Sequence, residues 1–316
     1  MAIGKKGAFF TIIGIIMFTS LAVYYINTNK YSPAEQNKVI LTRVKTMDSF
    51  IADMEHDIER GIYISSMRSM IGISQFMVEN GSFINKSFEA AFNEIMLNAT
   101  VSGQQVNLTI NQSFKNWTEK IANIGSKLGI NVEFHGLHLK PYHISPWKVK
   151  VILTGKANLT DDKGLASWDR DINISTEITI IDFEDPLYTV ISEGKYSNQI
   201  IRTKVPYFSS SKIGYLKNHT NHSWYIASAR APSFLMRFEK NLSASPHGIE
   251  SLVNIPEFEL ATQDIPQVHK PATNTIVDFI YFNETAVSGC IVNGTNTTWI
   301  RLETVSLPIY DAVCGP

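Results

Sequence analysis

"WKVKVILTGKANLTDDKGLASWDRDINISTEITIIDF", residues 147–183, alternates apolar and polar side chains along two runs joined through Asp161-Asp162-Lys163-Gly164. A period of two is the pattern of a half-buried strand, and Asp-Asp-Lys-Gly is turn chemistry, so the stretch reads as an antiparallel β-hairpin. Val149, Val151 and Leu153, with Ile172, Ile174, Ile178 and Ile180, supply one buried face. Asp185-Pro186 closes the unit.

Upstream the period changes to that of a helix. Residues 34–60 place Ile40, Val44, Met47, Ile51, Met54 and Ile58 at alternating spacings of four and three, with charged side chains between them. This is a helix with a packing seam, started at Ser32-Pro33 with Glu35 and Gln36. The seam suits packing against like helices or against the chain's own domain, and the spacing leaves both open. "GIYISSMRSMIGISQFMV" (61–78), "SFEAAFNEIML" (87–97) and "SFKNWTEKIANIGSKLG" (113–129) continue the helical pattern, with Gly129 as a stop. Downstream, "TIVDFIYF" (275–282) and "TTWIRLETVSL" (297–307) read as short strands between Pro-punctuated loops.

At the other end of the helical region, Ala8 to Ile26 carries no charge. At about 1.5 Å per residue this stretch reaches roughly 28 Å, the thickness of a bilayer's hydrocarbon core. It ends in Tyr24, Tyr25 and Ile26 rather than in a small-x-small cleavage site, so it reads as a retained span. Lys5 and Lys6 precede it and Lys30 alone closely follows, which places the N-terminus in the cytoplasm and the bulk of the chain outside. The expected fold class is α+β, with a transmembrane helix extended into a helical region and followed by an antiparallel β-rich head. The expected division is a basic leader at 1–7, a transmembrane helix at 8–30, a helical stalk and cluster at 31–130, a β-hairpin or sheet unit at 131–190, and a mostly β module at 191–316. The expected location is the cell membrane, single-pass.

The chain has 316 residues, 44% hydrophobic and 18% charged, enough apolar material for one or two packed domains. A net charge of −1 gives no footprint for nucleic acid, which is not expected as a partner. The two cysteines, Cys290 and Cys314, suit a single disulfide better than a metal site; two free buried thiols are the alternative.

Fourteen of the 23 asparagines begin Asn-x-Ser/Thr: Asn80, Asn85, Asn98, Asn107, Asn111, Asn116, Asn158, Asn173, Asn218, Asn221, Asn241, Asn283, Asn293 and Asn296. With Ser and Thr at 51 of 316 residues, chance gives roughly four such matches. All fourteen lie on the side that the lysine asymmetry assigns to the exterior, and they are read as N-glycosylation sites.

Candidates for chemistry are few. His135, His138 and His143 in "FHGLHLKPYH" could converge on zinc, but on a strand His135 and His138 point to opposite faces, so they read as surface histidines. His219 and His222 lie within overlapping sequons. Ser209 and Lys212 match Ser-x-x-Lys without its companion motifs. Asp182, Glu184 and Asp185 read as a solvated turn rather than a Ca²⁺ site. Phosphate loops, nucleotide-binding glycine fingerprints and nucleophile elbows are absent from the sequence. No catalytic residue, metal or cofactor is expected, and the chain does not read as an enzyme.

"KKG" followed directly by "AFFTIIGIIMF" resembles the class III signal of type IV pilins and archaeal pilin-like proteins. That resemblance implies cleavage between Gly7 and Ala8 on the cytoplasmic side, with the apolar helix kept as anchor and packing element. The fifth residue after that cut is Ile12, where bacterial pilins usually carry glutamate. The chain also resembles large archaeal surface proteins sharing stretches akin to "DPLY" and "APSFLMRFEKNLSASPHGIESLVN", a resemblance that brings no activity with it. The implied function is that of a non-enzymatic glycosylated surface protein, in adhesion or as a minor subunit of a pilus-like assembly. Its partners would be the membrane and like or other pilin-like subunits through the N-terminal helix. The alternative is a monomeric anchored binding or envelope protein.

Overall fold

The computed structural model describes residues 5–28 and 33–315, with side chains described from 10 to 26 and from 37 onward. It is a mixed helix and antiparallel-sheet architecture. α1 runs Lys5–Thr28 and α2 runs Pro33–Asn80. Among the described residues no helix is long and apolar enough to cross a membrane. The described side chains of α1 run from Phe10 to Ile26, short of the Ala8–Ile26 stretch read from the sequence.

α2 is a single helix of 48 residues, about 72 Å long at about 1.5 Å per residue. The two helical segments read separately at 34–60 and 61–78 are therefore one. Its seam is buried from Met47 onward: Met47, Ile51, Met54 and Ile58 lie in the chain's own core, while Ile40 is exposed. The stalk expected for residues 31–130 is thus, from Met47, the spine of the head. α3 (Phe88–Asn98) and α4 (Phe114–Lys127) fold back onto it. Each starts at a serine whose hydroxyl accepts from a backbone N–H of the first turn, Ser87 from Ala90 and Ser113 from Asn116. Gly129 follows α4 at φ +69°, the left-handed stop expected there.

Gly61 decides how closely α4 approaches. A Cβ on Gly61 would stand 2.8 Å from the Trp117 ring, and the Trp117 indole N–H donates to Asp57 Oδ2 at 2.9 Å. A tryptophan lies flat on α2 only because the helix offers no side chain at that point.

A two-residue hairpin, β1 (Thr100–Val101) and β2 (Gln104–Gln105), links α3 to α4. The main sheet follows in the order β3 (Ile130–Ser145), β4 (Lys148–Asp161), β5 (Ser167–Thr179), all antiparallel. The β4–β5 hairpin is the one read from the sequence, with Val149 opposite Ile178 and Leu153 opposite Ile174. Val149, Val151, Leu153, Ile172, Ile178 and Ile180 are buried and Ile174 is half-buried. One continuous apolar cluster joins this face to α2, α3 and α4.

β3 carries a bulge. His135 pairs with Lys156 and His138 with Thr154, so Gly136 and Leu137 are accommodated opposite Gly155 alone. A Cβ on Gly155 would come within 2.8 Å of Leu137.

The region from 191 differs from the mostly β module expected. It holds α5 (Pro186–Ile191) at its entrance, α6 (Ile213–Asn221), α7 (Phe234–Arg237), α8 (Ile255–Ala261) and α9 (Asp278–Tyr281). Its strands pair as β6 (Tyr225–Ala227) with β7 (Ile249–Ser251), and β8 (Cys290–Ile291) with β9 (Arg301–Leu302). The second half of "TIVDFIYF" forms α9 rather than a strand. Segments this short bury too little apolar surface to hold themselves. They are fixed instead by buried polar networks and by a second apolar cluster around Leu216, Leu252, Val292 and Tyr310.

Candidate functional site

Two ion networks lie inside the C-terminal module, and both are made by neighbours on β7. Ser251 donates to Asp278 Oδ2 at 3.0 Å, while Arg237 Nη1 donates to the same oxygen at 2.9 Å and also to Asp185 Oδ2. Tyr225 donates to Asp185 Oδ2 at 2.7 Å, and Arg237 Nη2 donates to the Ile249 carbonyl oxygen. Arg237, Asp185 and Asp278 are all 0% exposed. Burial pushes the Asp278 carboxyl up, against the pull of Arg237. Burial opposes charge on Arg237 too, but Asp185 and Asp278 outweigh it and hold the guanidinium pKa above its ordinary value.

Glu250 enters the second network. Arg230 grips its carboxylate at 2.9 and 3.0 Å and reaches Glu303 Oε1 at 2.8 Å. Tyr310 donates to Glu250 Oε1 at 3.0 Å and Thr275 donates to Glu303 Oε2 at 2.5 Å. Burial pushes the Glu303 carboxyl up, but the hydroxyls of Ser306 and Thr275 with Arg230 hold it below the usual range. In both networks every carboxylate is already occupied by donors of the chain itself. They hold the module together rather than face a substrate.

Asp185 was expected in a solvated turn with Asp182 and Glu184. Those two are exposed, but Asp185 is fully buried. Its backbone and Oδ1 cap α5, with the Leu187 N–H donating at 2.9 Å and Pro186 as the first helical residue. Asp-Pro before an apolar run is the sequence signal of that cap; the pairing with Arg237 has no local signal. "DPLY" and "APSFLMRFEKNLSASPHGIESLVN" thus meet through Asp185, Arg237, Ile249 and Ser251.

The bulge in β3 places His135 and His138 on the same face, not on opposite faces, because their partners Lys156 and Thr154 are two residues apart. Each meets a carboxylate, Glu133 at 3.5 Å and Glu89 at 3.1 Å respectively. His143 is turned inward and pushed down to about 4, chiefly by burial, with Nδ1 3.1 Å from the Ser145 carbonyl oxygen. Among the described residues no group of His, Cys, Asp or Glu could hold a metal ion. His219 is buried and pushed down to about 3 by that burial, its Nδ1 3.0 Å from Thr203 Oγ1, while His222 is exposed. Ser209 and Lys212 do not meet: Ser209 Oγ lies 2.8 Å from Ser211 Oγ, and Lys212 Nζ donates to Tyr207 Oη at 2.5 Å.

Cys290 and Cys314 form a disulfide with Cα atoms 5.5 Å apart. The bond ties the chain's last turn to β8, beside the bridge between Val292 and Cys314.

The fourteen sequon asparagines are all at the surface: Asn116 and Asn158 are half-buried and the other twelve exposed. Asn198 and Asn274, the buried asparagines among the described residues, both lie outside sequons. Gly7 and Ala8 lie within α1. From Phe10 to Ile26 the side chains of α1 are exposed except for half-buried Ala22, with Phe18 at 75%. Val39 and Leu41 on α2 are also exposed.

Two grooves flank α2. One of about 640 Å³ is floored by Met70, Ile71, Phe183 and Phe238, and one of about 820 Å³ surrounds the Arg43–Asp161 ion pair. Searches among family models, curated proteins and solved structures find no match to this chain.

Proposed function

We propose that the protein is a non-enzymatic, N-glycosylated surface protein held in the membrane by its N-terminal helix, acting in adhesion or as a minor subunit of a pilus-like assembly. The observation that carries this reading is the division of the helical surface. Among the described residues apolar side chains stand exposed along α1, from Ile12 to Val23, and again at Val39, Ile40 and Leu41 on α2, and the same kind of side chain is in the core from Met47 onward. Exposed apolar side chains along a whole helix such as α1 call for lipid or like helices to cover them. The surface position of all fourteen sequon asparagines supports the exterior assignment.

In this mechanism α1 lies in lipid or packs with neighbouring helices, while the head presents a glycan-coated face. The buried seam from Met47 to Ile58 favours a second reading, the lone anchored protein, over assembly through that part of α2. Cysteine pairs placed at Val39 and Leu41 separate the two: crosslinked ladders in whole cells support assembly, and monomers alone support the lone anchor.

The anchor itself is tested by mass spectrometry of membrane-fraction protein. Mature chains beginning at Ala8, with sugar on sequon peptides, are expected. Chains beginning beyond Ile26, or sugar-free chains in the cell interior, would overturn the reading.

A further inference from the structure

Between Gly194 and Phe238 the chain carries seven Lys and Arg residues and no Asp or Glu. Arg230 and Arg237 are engaged by the buried carboxylates, and Lys195 pairs with Asp264 at 2.6 Å. The exposed Arg202, Lys204 and Lys212 make no salt bridge among the described residues. Each is seated on an aromatic ring instead: Arg202 lies 4.9 Å from the Trp147 centroid, Lys204 5.7 Å from Trp224, and Lys212 5.1 and 5.6 Å from Tyr207 and Tyr215.

The three cations share one surface unit. The Thr203 N–H donates to the Tyr225 carbonyl oxygen at 2.9 Å and the Tyr225 N–H to the Ile201 carbonyl oxygen at 2.8 Å, which sets residues 201–203 beside the start of β6. Phe208 stacks edge-on to His219 of α6 at 5.1 Å, and Tyr207 to Tyr215 at 5.5 Å. Asp311 accepts from the Ser210 N–H at 3.2 Å, and Glu257 accepts from Asn254 at 2.9 Å. Neither pairs with the three cations. A ring positions a cation without neutralising it, unlike a carboxylate, so the face is an ordered array of positive charge still open to an anion.

We propose that this face binds an anionic polysaccharide, with Arg202, Lys204 and Lys212 contacting its carboxylate or sulfate groups. Single-stranded nucleic acid fits less well, because it needs bare rings for base stacking. Trp224 is only 7% exposed, and its ring is met by Lys204 at 5.7 Å and by the stacked His222 at 4.6 Å. What faces solvent is charge, the hydroxyls of Ser210 and Ser211, and Tyr207 at 49% exposure. The proposal rests on the exterior placement proposed above, where such polymers occur. Binding is measured on isolated protein, so its failure leaves the mass-spectrometric test of placement untouched.

The experiment measures full-length protein on heparin, polygalacturonate, neutral dextran and an oligo-dT strand at low and high salt. Expected is binding to heparin and polygalacturonate, none to dextran, weaker binding to oligo-dT, and loss with salt. The triple variant R202A/K204A/K212A should bind heparin about tenfold more weakly, while K115A/K120A/K127A on α4, which removes the same charge elsewhere, should not. If the triple variant loses its melting transition, the single changes R202Q, K204Q and K212Q carry the same expectation at about two- to threefold each. Equal loss in the α4 control, oligo-dT binding at least as tight as heparin, or no binding by the unaltered protein overturns the proposal.

Discussion

Arg237 and Asp278 face each other at 2.9 Å with both side chains wholly shut off from solvent. Desolvating a guanidinium and a carboxylate costs several kcal/mol each, and the cost is offset only where the remaining donors and acceptors are used. Here Asp185, Tyr225, Ser251 and the Ile249 carbonyl use most of them. The pair therefore does little for net stability as a pair, and much for holding five short segments in one arrangement.

Removing one partner should be far worse than removing a surface charge. Arg237→Met strands two buried carboxylates and is expected to destabilise by about 3–5 kcal/mol, against about 0.5 kcal/mol or less for Asp182→Asn. Urea midpoints of the two variants check this; a midpoint for Arg237→Met close to that of the unaltered protein would show the network to be dispensable.

The disulfide closes a loop with a sequence separation of 24 residues. Changing both Cys290 and Cys314 to serine should lower stability by about 3 kcal/mol through the entropy of the unfolded chain. Thermal melts with and without reductant read it, and equal melts in both conditions would contradict it.

Gly61→Val places side-chain atoms where the Trp117 ring now lies, within 2.8 Å of the Cβ position. About 1–3 kcal/mol of destabilisation is expected from overpacking. Combining it with Trp117→Ala should cost less than the sum of the two single losses, because the clash is gone. Strict additivity of the two changes would mean that α4 does not rest on Gly61.

Acid should weaken the fold before the carboxylates titrate. His143 and His219 are held down to about 4 and about 3 by burial, against about 6.5 in an unfolded chain. Both are neutral in the fold and take up protons on unfolding. Their contribution is thus fully present above about pH 6.5 and is lost as pH falls toward 3 to 4, at about 1.4 kcal/mol per unit for each. Urea midpoints measured from pH 7.5 to 4 should slope downward, and His219→Gln should flatten that slope. An unchanged slope in the variant would show that His219 is protonated in the fold.

The elements visible from periodicity were those long enough to show it. Met47, Ile51, Met54 and Ile58 announced α2, and Val149 to Leu153 with Ile172 to Ile178 announced the β4–β5 hairpin. β3 was harder to see, because the Gly136–Leu137 bulge and Pro141 interrupt its alternation and shift His135 and His138 onto one face. The module after Ile191 was misread as mostly β. Its elements run two to nine residues, too short for a period to establish itself. Asp185 was misplaced for a related reason: nothing within "FEDPLY" foretells an arginine 52 positions away.

Residue order alone was enough for the helix-then-hairpin succession, the cysteine pairing and the uncharged N-terminal stretch, because each depends on neighbours close along the chain or on a count of residue types. What covers the seam of α2, which carboxylates lose their water, and where unneutralised cations gather depend on segments far apart in the chain coming together. Burial and charge pairing are properties of that meeting, so they emerged only once the chain was folded.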